Sequence, residues 1–349
     1  MSATRGLAIG KFWPPHAGHV RLIRQLIANC DRAFVLVCAS ERQVPGGMER
    51  AVWLQAMFPE VEVIVDHDWC AWHYPDECGA SCTELSARRV QELGLLPIDV
   101  VAAGESYAER FADALKAKCI RLERHDEPSR GTSIRQDLCA SWLQLPRVVR
   151  AGLYRRVVIL GAESTGTSTL AVDLSRRLRA PLVAEVGRTY SWHLFSRAGS
   201  MEGIKWSQEH FWQIVNLQIQ LERDSIWGDI ETTPGTLGPW LICDTDTLAT
   251  VAWWERYLNR DVEAIEKLAS ARLADLYVHT SPSDVEFDDS DPLRDGAHVR
   301  LTMSDRFRDL LRNSGRPWLE VTGSREDRVE QVVKTLQKLE VESPRWIHS

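Results

Sequence analysis

Two histidines near the start of the chain have a spacing that suits phosphate binding. The stretch GKFWPPHAGH places His16 and His19 three residues apart, after an apolar run and at the expected start of a helix. Amides at a helix start favour anions, so two imidazoles on one turn, with Lys11 nearby, suit a phosphate group. For an isolated H-x-x-H pattern, two polar residues that merely begin a helix are the alternative. Zinc is not favoured, because H-E-x-x-H and a third ligand are absent.

A glycine-rich stretch in the second half, GAESTGTST at residues 161–169, resembles the phosphate loop of P-loop NTPases. The pattern G-x-x-x-x-G-K-[ST] is matched by Gly161, Gly166 and Ser168, but Thr167 occupies the lysine position. The stretch lies between an apolar run and a helical pattern, which is the context that this loop requires. The residues that we expect to bind ATP are Gly161, Ser164, Thr165, Gly166, Thr167, Ser168 and Thr169.

The lysine that is absent from this loop would normally carry a full charge to the phosphates. The Thr167 hydroxyl supplies at most a neutral hydrogen bond, about half as strong as a charged one. The loop glycines are nevertheless intact, and the later polar stretch SPSDVEFDDSDPLRDGAHVR has the composition of a mobile lid. We expect Arg294 or Arg300 of this stretch to supply the charge to bound ATP, as an arginine finger does.

Polar residues after two further apolar runs complete this predicted site. Asp244 and Asp246 follow the run in LICDTDTLAT and suit magnesium, although aspartates at strand ends are also ordinary caps. In AEVGRTY, Glu185, Arg188 and Tyr190 end another strand at the same sheet edge, where open parallel sheets bind ligands. A surface ion pair between Glu185 and Arg188 is the plain structural alternative.

Two series of apolar runs, alternating with helical patterns, carry these residues. The first includes GLAIGKF, AFVLVCAS, VEVIVDH and IDVVAAGES, and the second includes RRVVILG, APLVAEV, PWLICDTD, RLADLYVHT and PWLEVTG. Short apolar strands that alternate with helices predict buried parallel sheets. The alternation stops around residues 142–155, where a proline interrupts it. We therefore predict an α/β protein with two doubly wound parallel-sheet domains, at residues 1–147 and 155–349.

Length and composition agree with two domains. At 349 residues the chain exceeds the size at which single cores usually stop growing. A net charge of -7 and a pI of 5.9 disfavour a protein that mainly grips nucleic acid or an anionic membrane. No apolar run reaches the ~18 residues of a membrane span, and the apolar stretch before Lys11 is too short for us to expect a signal peptide. We therefore expect a cytoplasmic protein without a nucleic-acid or membrane partner.

Further stretches extend the resemblance to a known family. GKFWPPHAGH resembles the nucleotidylyltransferase signature G-x-F-x-P-x-H-x-G-H, and SRGTSIR is similar to that superfamily's second signature, a Ser/Thr-rich turn ending in Ile-Arg. With GESYAERFADAL between them and GAESTGTST after them, the chain resembles the bifunctional NadR family over nearly all of residues 6–340. In this family, a Rossmann-like NMN adenylyltransferase domain precedes a P-loop ribosylnicotinamide kinase domain. Some members begin with a helix-turn-helix domain, which we do not expect here because the first strand starts near residue 6.

For the first domain, the resemblance implies adenylyl transfer from ATP to nicotinamide mononucleotide (NMN), which gives NAD and pyrophosphate. The substrate brings its own nucleophile, so the protein must position and neutralise the phosphates. The implied catalytic groups are Lys11, His16, His19 and Arg135, and further ATP contacts are Gly10, Phe12, Thr132 and Ser133. Family members usually carry a small serine before Gly-Thr where this chain has Arg130, which is either exposed or an added phosphate contact.

For the second domain, the resemblance implies transfer of the ATP γ-phosphate to the 5′-hydroxyl of nicotinamide riboside. Glu185 is then the base, and Ser168 and Asp244 bind Mg²⁺. The implied riboside contacts are Arg188, Tyr190 and Asp246. The expected partners are ATP, NMN, nicotinamide riboside and NAD, in a homo-oligomer. One alternative is an adenylyltransferase only, with the second domain a nucleotide-binding regulatory or oligomerisation module. Another is an enzyme for a different acceptor, such as a pantetheine phosphate, which the kinase-like second domain disfavours.

The stretch HDWCAWHYPDECGASC allows two further hypotheses. Its possible metal ligands are Cys70, His73, Cys78 and Cys82, with His67 close by. This spacing can hold zinc but is not a standard finger pattern, and reduced thiols are the alternative. The indoles of Trp69 and Trp72 could stack on a cationic nicotinamide ring, with core or lid packing as the alternative.

Overall fold

Two compact units, Met1–Gly152 and Leu153–Glu342, make up the fold. The computed structural model describes residues 3–40, 43–67, 80–104, 108–121, 131–232, 238–259 and 262–342. Each unit contains one five-stranded parallel sheet flanked by helices, which confirms the predicted α/β class. None of the helices within these ranges has the length and apolar character of a membrane span.

The sheet of the first unit has the order β3-β2-β1-β4-β5. Its strands are β1 (Arg5–Gly10), β2 (Arg32–Cys38), β3 (Glu62–Asp66), β4 (Val100–Ala103) and β5 (Lys118–Arg121). Its helices are α1 (Ala17–Ile27), α2 (Gly47–Met57), α3 (Ala80–Glu92), α4 (Ala108–Leu115), α5 (Gly131–Gln136), α6 (Leu138–Ser141) and α7 (Arg147–Leu153). Along β2, Phe34 and Leu36 belong to one core cluster and Val35 and Val37 to another. Alternate side chains point to opposite faces, so burial on both faces explains the continuous apolar runs.

The sheet of the second unit has the order β10-β9-β6-β8-β7. Its strands are β6 (Arg155–Leu160), β7 (Leu182–Val183), β8 (Trp240–Asp244), β9 (Leu276–Thr280) and β10 (Trp318–Val321). Its helices are α8 (Thr167–Leu178), α9 (Val186–Ala198), α10 (Gln208–Thr232), α11 (Thr247–Leu258), α12 (Glu263–Ser270), α13 (Ala297–Asn313) and α14 (Arg325–Glu342). Val157 and Ile159 of β6 pack in one cluster and Val158 and Leu160 in another, so this sheet is also buried on both faces.

The central strand of each sheet leads into a predicted phosphate-binding stretch. β1 lies between β2 and β4, and β6 lies between β8 and β9. The connections diverge on either side of such a strand, which leaves a crevice at the carboxyl ends of the strands. GKFWPPHAGH follows from β1, and GAESTGTST follows β6. Both motifs therefore lie where open parallel sheets bind ligands.

Two local predictions in the second unit were wrong. The run APLVAEV forms only the two-residue strand β7, and Glu185 is the N-cap of α9 rather than the end of a strand. Strand β7 pairs with β8 only at Leu182 and Val183, and the chain enters α9 at Val186. The predicted lid also does not extend to Arg300. This last residue of the polar stretch lies in the first turn of α13. Its side chain is 8% exposed, so it is part of the packed structure.

His279 on β9 is expected to make the second unit less stable in acid. The side chain is fully buried, and burial lowers its pKa to about 4 although Glu320 lies nearby. Between pH ~6.5 and pH ~4, His279 is protonated in the unfolded chain but stays neutral in the folded chain. Stability therefore falls as the pH falls through this window, by up to about 3 kcal/mol.

Urea unfolding at pH 7.5 and pH 5 tests this prediction on the wild type and on His279→Gln. The glutamine has no titratable group, so its free energy of unfolding should fall less between the two pH values. Titratable groups away from position 279 contribute equally to both proteins and cancel in the comparison, and the pKa of the neighbouring Glu320 is lowered mainly by its bond to Arg308, which both proteins keep. Equal losses in the two proteins would show that His279 does not cause the pH dependence.

Candidate active sites

The two histidines of the first unit lie side by side at the start of α1. His16 is the N-cap residue, and its Nδ1 accepts a hydrogen bond from the Gly18 N–H at 3.1 Å. His19 Nδ1 accepts from the His16 N–H at 3.3 Å, and the two ring centroids are 3.8 Å apart. Because each Nδ1 accepts a hydrogen bond, a neutral ring carries its proton on Nε2. The pair therefore provides two Nε2–H donors that suit phosphate oxygens.

Arg135 joins the two signature stretches of this unit. Its guanidinium lies 4.3 Å from the Trp13 ring centroid and donates to the Trp13 carbonyl at 2.6 Å. It also donates to the Thr132 hydroxyl at 3.3 Å. Gly131 permits this approach, since a Cβ there would lie 3.2 Å from the Trp13 carbonyl oxygen. The structure thus brings α5, which also carries Ser133, against the loop that leads to the histidines.

The turn between β1 and the histidines has an unusual backbone. Gly10 ends β1, and Lys11 and Phe12 follow it. Phe12 is buried with φ 47°, and its ring centroid lies 4.8 Å from that of His19. A bulky residue at positive φ is costly and persists only where the surroundings impose it, most often near functional sites.

Arg50 on α2, which the sequence did not point to, fixes this turn. Its side chain is fully buried, and burial lowers its pKa to about 10. It donates to the Lys11 carbonyl at 2.5 Å, the Gly46 carbonyl at 3.1 Å and the Gln43 side-chain oxygen at 2.9 Å. Arg50 therefore ties the main chain at Lys11 to the loop before α2. The signal available in the sequence was a single arginine within the helical pattern GGMERAVWLQAMF.

Several predicted groups of the first unit lie outside the described residues. They are Trp69, Trp72, Cys70, His73, Cys78, the side chain of Cys82, and Arg130. His67 is described and lies exposed after β3. Within the described ranges, no group of three or more His, Cys, Asp or Glu side chains could hold a metal ion. The zinc and nicotinamide-stacking hypotheses for this segment stay predictions.

In the second unit, the phosphate loop lines a cavity of about 530 Å³. The predicted residues that line it are Gly161, Ser164, Gly166, Thr167, Ser168, Thr169, Glu185, Arg188, Asp244, Asp246 and Arg294. A cavity of this volume suits a small-molecule ligand. Most of the predicted kinase residues therefore share one space.

The conformation of the phosphate loop requires its two glycines. A Cβ on Gly161 would lie 2.2 Å from Thr280 Oγ1, which is too close for any side chain. Gly166 has φ 86°, a left-handed conformation that favours glycine. The Thr165 hydroxyl lies 2.6 Å from the Thr280 hydroxyl and donates to the Ala162 carbonyl at 2.7 Å. The end of β9 thus holds the loop in place.

Asp244 and Ser168 provide oxygen ligands that fit a magnesium ion. Asp244 ends β8 and is 3% exposed, and the Ser168 hydroxyl hydrogen-bonds to its carboxylate. Burial raises the pKa of Asp244 even though this bond lowers it. Asp244 Oδ1 is buried and has no hydrogen-bond partner within the described part of the chain. A hard cation prefers such oxygens and would satisfy Oδ1, so these residues fit Mg²⁺.

Glu185 and Arg188 lie at the start of α9 on another side of the cavity. The Glu185 carboxyl makes no capping bond to the helix. Burial, and then the neighbouring Asp244 carboxylate, raise the pKa of Glu185. Arg188 forms an ion pair with Asp291. A carboxyl with a raised pKa beside a phosphate loop is suited to accept a proton near neutral pH.

Comparisons with known proteins agree with this arrangement. A family profile described as an AAA domain matches residues 156–328. The trifunctional NAD biosynthesis/regulator protein NadR of Salmonella typhimurium is 25% identical over 214 residues, 56% of this chain and 51% of that protein. The Escherichia coli protein of the same name is 23% identical over 301 residues, 79% of this chain and 68% of that protein. The chain is similar to NadR proteins. It spans about half the length of the Salmonella protein.

Two solved structures of NadR proteins share the fold of both units. A NadR protein in complex with NR superposes with a TM-score of 0.71 at 19% identity, covering 96% of each chain. A NadR protein in complex with NAD and AMP-PNP has a TM-score of 0.68 at 18% identity, covering 97% of this chain and 96% of the other. The resemblance to NadR that the sequence motifs indicated is therefore confirmed.

Two residues that the NadR resemblance assigned to the riboside make hydrogen bonds to other residues of the protein instead. Asp246 is the N-cap of α11, where Oδ1 accepts from the Leu248 and Ala249 amides. Its Oδ2 lies 3.1 Å from the Arg156 guanidinium and accepts from the Tyr277 hydroxyl at 3.0 Å. The Tyr190 hydroxyl bonds to the Gln213 side chain at 2.5 Å. A structural role accounts for the contacts of both residues.

Glu163 and an aromatic group also line the cavity, although the NadR resemblance did not point to them. The aromatic residues are Trp206, Phe211, Trp253 and Tyr257. The Trp206 and Tyr257 rings are stacked, with centroids 4.9 Å apart. Glu163 accepts from the Asp295 amide at 2.9 Å, and burial raises its pKa to about 7. The aromatics come from α10, α11 and the segment before α10, whose apolar patterns also fit ordinary core helices.

The two predicted lid arginines occupy different places. Arg294 lines the cavity, with its guanidinium 3.0 Å from the Asp288 carboxylate. Arg300 donates instead to the carbonyls of Ser164 at 2.9 Å and Val285 at 2.7 Å. Only Arg294 of this pair is therefore placed to reach a ligand directly.

Proposed function

We propose that the protein makes NAD from nicotinamide riboside in two ATP-dependent steps, one in each unit. The second unit phosphorylates the riboside to NMN, and the first unit joins NMN to the adenylyl group of a second ATP. The observation that carries this proposal is the cavity in which the phosphate loop, Asp244 and Glu185 line one space. The names of the NadR relatives and the ligands of the NadR structures support the substrate class.

In the second unit, the 5′-hydroxyl oxygen attacks the γ-phosphorus of ATP, the bond to ADP breaks, and the hydroxyl proton passes to Glu185. Burial raises the pKa of this carboxyl, which makes it a better base than an exposed glutamate. The loop amides bind the phosphates. Ser168 and Asp244 would hold Mg²⁺, which spreads the negative charge of the phosphates when bound.

The aromatic residues of the cavity give the riboside a binding surface. A flat pyridinium cation stacks favourably on indole and phenol rings. Trp206, Trp253 and Tyr257 offer such rings in the same cavity as the phosphate loop. This surface supports a nicotinamide-bearing nucleoside as the phosphate acceptor.

In the first unit, a phosphate oxygen of NMN attacks the α-phosphorus of ATP, and the bond to pyrophosphate breaks. No protein nucleophile is needed, so catalysis consists of positioning and charge stabilisation. The Nε2–H groups of His16 and His19 donate to phosphate oxygens, and Lys11 and Arg135 add positive charge. Thr132 and Ser133 at the start of α5 provide further hydroxyl donors.

One residue favours a second candidate function. Thr167 in place of the loop lysine suits a unit that binds nucleotide without transferring phosphate. The protein would then be an NMN adenylyltransferase whose second unit is a regulatory or oligomerisation module. This candidate predicts ATP binding to the second unit without phosphorylation of the riboside.

An assay of the purified protein with ATP and Mg²⁺ separates the two candidates. One sample receives nicotinamide riboside and the other receives NMN, and the products are separated by chromatography. The proposal expects NMN and NAD from the riboside. Conversion of NMN alone supports the second candidate, and absence of product from both substrates rejects the substrate class.

A further inference from the structure

Two buried arginines hold consecutive carbonyl groups of the phosphate loop. Arg300 on α13 donates to the Ser164 carbonyl at 2.9 Å, and Arg328 on α14 donates to the Thr165 carbonyl at 2.7 Å. The residues are 8% and 5% exposed, respectively. Buried arginines are uncommon, and hydrogen bonds from a charged donor are stronger than neutral ones. The loop is therefore held at two successive peptide groups by charged donors.

Each arginine is also fixed to a second part of the unit. Arg300 donates to the Val285 carbonyl at 2.7 Å, and Arg328 donates to the Gly323 carbonyl at 3.2 Å. Arg328 lies 3.5 Å from the Asp284 carboxylate. The guanidinium groups of Arg294 and Arg300 each lie 5.9 Å from the Phe287 ring centroid. Burial, and then the charges of Arg294 and Arg328, lower the pKa of Arg300.

Holding these carbonyls determines where two amides point. The peptide group is planar and trans, so the C=O of one residue and the N–H of the next point in opposite directions. The carbonyls of Ser164 and Thr165 face the two arginines, so the N–H groups of Thr165 and Gly166 point away from them. Within the described residues, neither amide donates a hydrogen bond. Both amides are therefore available to an anion.

We propose that Arg300 and Arg328 are positioning residues for ATP and take over part of the role of the loop lysine that Thr167 replaces. They act through the loop, because they fix the amides of Thr165 and Gly166 for the phosphates and add positive charge beside them. This inference rests on the proposed phosphoryl transfer in the second unit. It differs from an arginine finger, since neither guanidinium needs to touch ATP.

Substitutions on the same two helices test the inference in the full-length protein. Arg300→Gln and Arg328→Gln remove the charge, while Arg300→Lys and Arg328→Lys keep it. The matched controls are Arg312→Gln on α13 and Arg325→Gln on α14, because these two arginines are exposed and pair with Asp309 and Asp173. NAD formation from NMN in the same samples reports whether the first unit is intact.

In riboside phosphorylation, each glutamine variant should raise the KM for ATP by about tenfold to a hundredfold. The KM for the riboside should not change, the lysine variants should lie between glutamine and wild type, and the controls should match wild type. An unchanged KM for ATP would overturn the inference. So would an equal rise in both KM values together with a lower unfolding temperature, because the arginines would then only hold the fold.

Calorimetric titration with ATP and Mg²⁺ separates this inference from the proposed kinase activity. His16→Ala with His19→Ala in every sample weakens the proposed ATP site of the first unit equally, so a difference between the arginine variants and the same chain with Arg300 and Arg328 intact reports the second unit. Weaker binding in the glutamine variants supports the positioning role even if the wild type phosphorylates no riboside, and that result would reject the kinase activity alone. Equal affinity with and without the arginine substitutions, or no ATP binding in the chain that keeps both arginines, overturns the positioning role.

Discussion

Replacing His16 with asparagine is expected to slow NAD formation from NMN by about 100-fold to 1,000-fold. Asparagine is a strong N-cap residue, and its side-chain oxygen can accept the Gly18 N–H that His16 Nδ1 accepts. The substitution therefore keeps the start of α1 and removes only the Nε2–H donor. Riboside phosphorylation in the second unit should keep its rate. Steady-state rates of both reactions on one preparation provide the measurement.

Two further variants test whether the slower NAD formation in His16→Asn comes from the missing Nε2–H donor. His16→Gln places an amide N–H near the position of Nε2, so it should retain more activity than His16→Asn. Gln25→Ala changes an exposed side chain on the same helix and should leave both rates unchanged. NAD formation at the wild-type rate in His16→Asn would show that this imidazole does not stabilise the phosphates.

Replacing Asp244 with asparagine should lower riboside phosphorylation by about 1,000-fold, since several kcal/mol of charge stabilisation at the phosphates is lost. The amide has nearly the shape of the carboxylate but binds Mg²⁺ poorly. Adenylyl transfer in the first unit should continue at the wild-type rate. Initial rates over a range of Mg²⁺ concentrations should show a weaker dependence on the metal in the variant.

Stability provides the control for Asp244. Burial raises the pKa of this carboxyl, so its charge is unfavourable in the folded chain without a cation. The unfolding temperature of Asp244→Asn without Mg²⁺ should therefore equal or exceed that of the wild type. Asp309→Asn, which changes an exposed carboxylate on α13, should leave activity and stability unchanged. A large fall in the unfolding temperature of Asp244→Asn would assign this residue to the fold instead.

The sheets could be predicted because their signal is local. A strand buried on both faces needs a continuous apolar run, and β6 or β8 shows such a run whatever surrounds it. Gly161 and Gly166 could also be predicted. The loop geometry leaves no room for a side chain at Gly161, and the left-handed backbone at Gly166 favours glycine. The length of strand β7 was overestimated. It is set by pairing with β8, which involves only Leu182 and Val183, and an apolar run does not show where such pairing ends.

Side chains whose hydrogen-bond partners are distant parts of the protein could not be predicted. Arg50, Arg300 and Arg328 bind main-chain carbonyls, and the sequence does not show which carbonyl lies within reach of a long side chain. Asp246 looked like a ligand because an acidic residue after a strand suits both a metal and a helix cap. Its two carboxylate oxygens instead contact the amides of α11, Arg156 and Tyr277. Which of the two roles Asp246 has therefore depends on elements that are distant in sequence and meet only in the fold.

Thr167 also determines how the second unit can be detected. A nucleotide probe that labels its site by acylating an amine needs a lysine within reach of the bound phosphates, and in a P-loop that residue is the loop lysine. The loop from Gly161 to Thr169 contains no lysine. A proteome-wide survey with such probes would therefore record no label on this loop even when it is fully occupied by ATP, whereas a photoreactive adenine analogue would not depend on an amine.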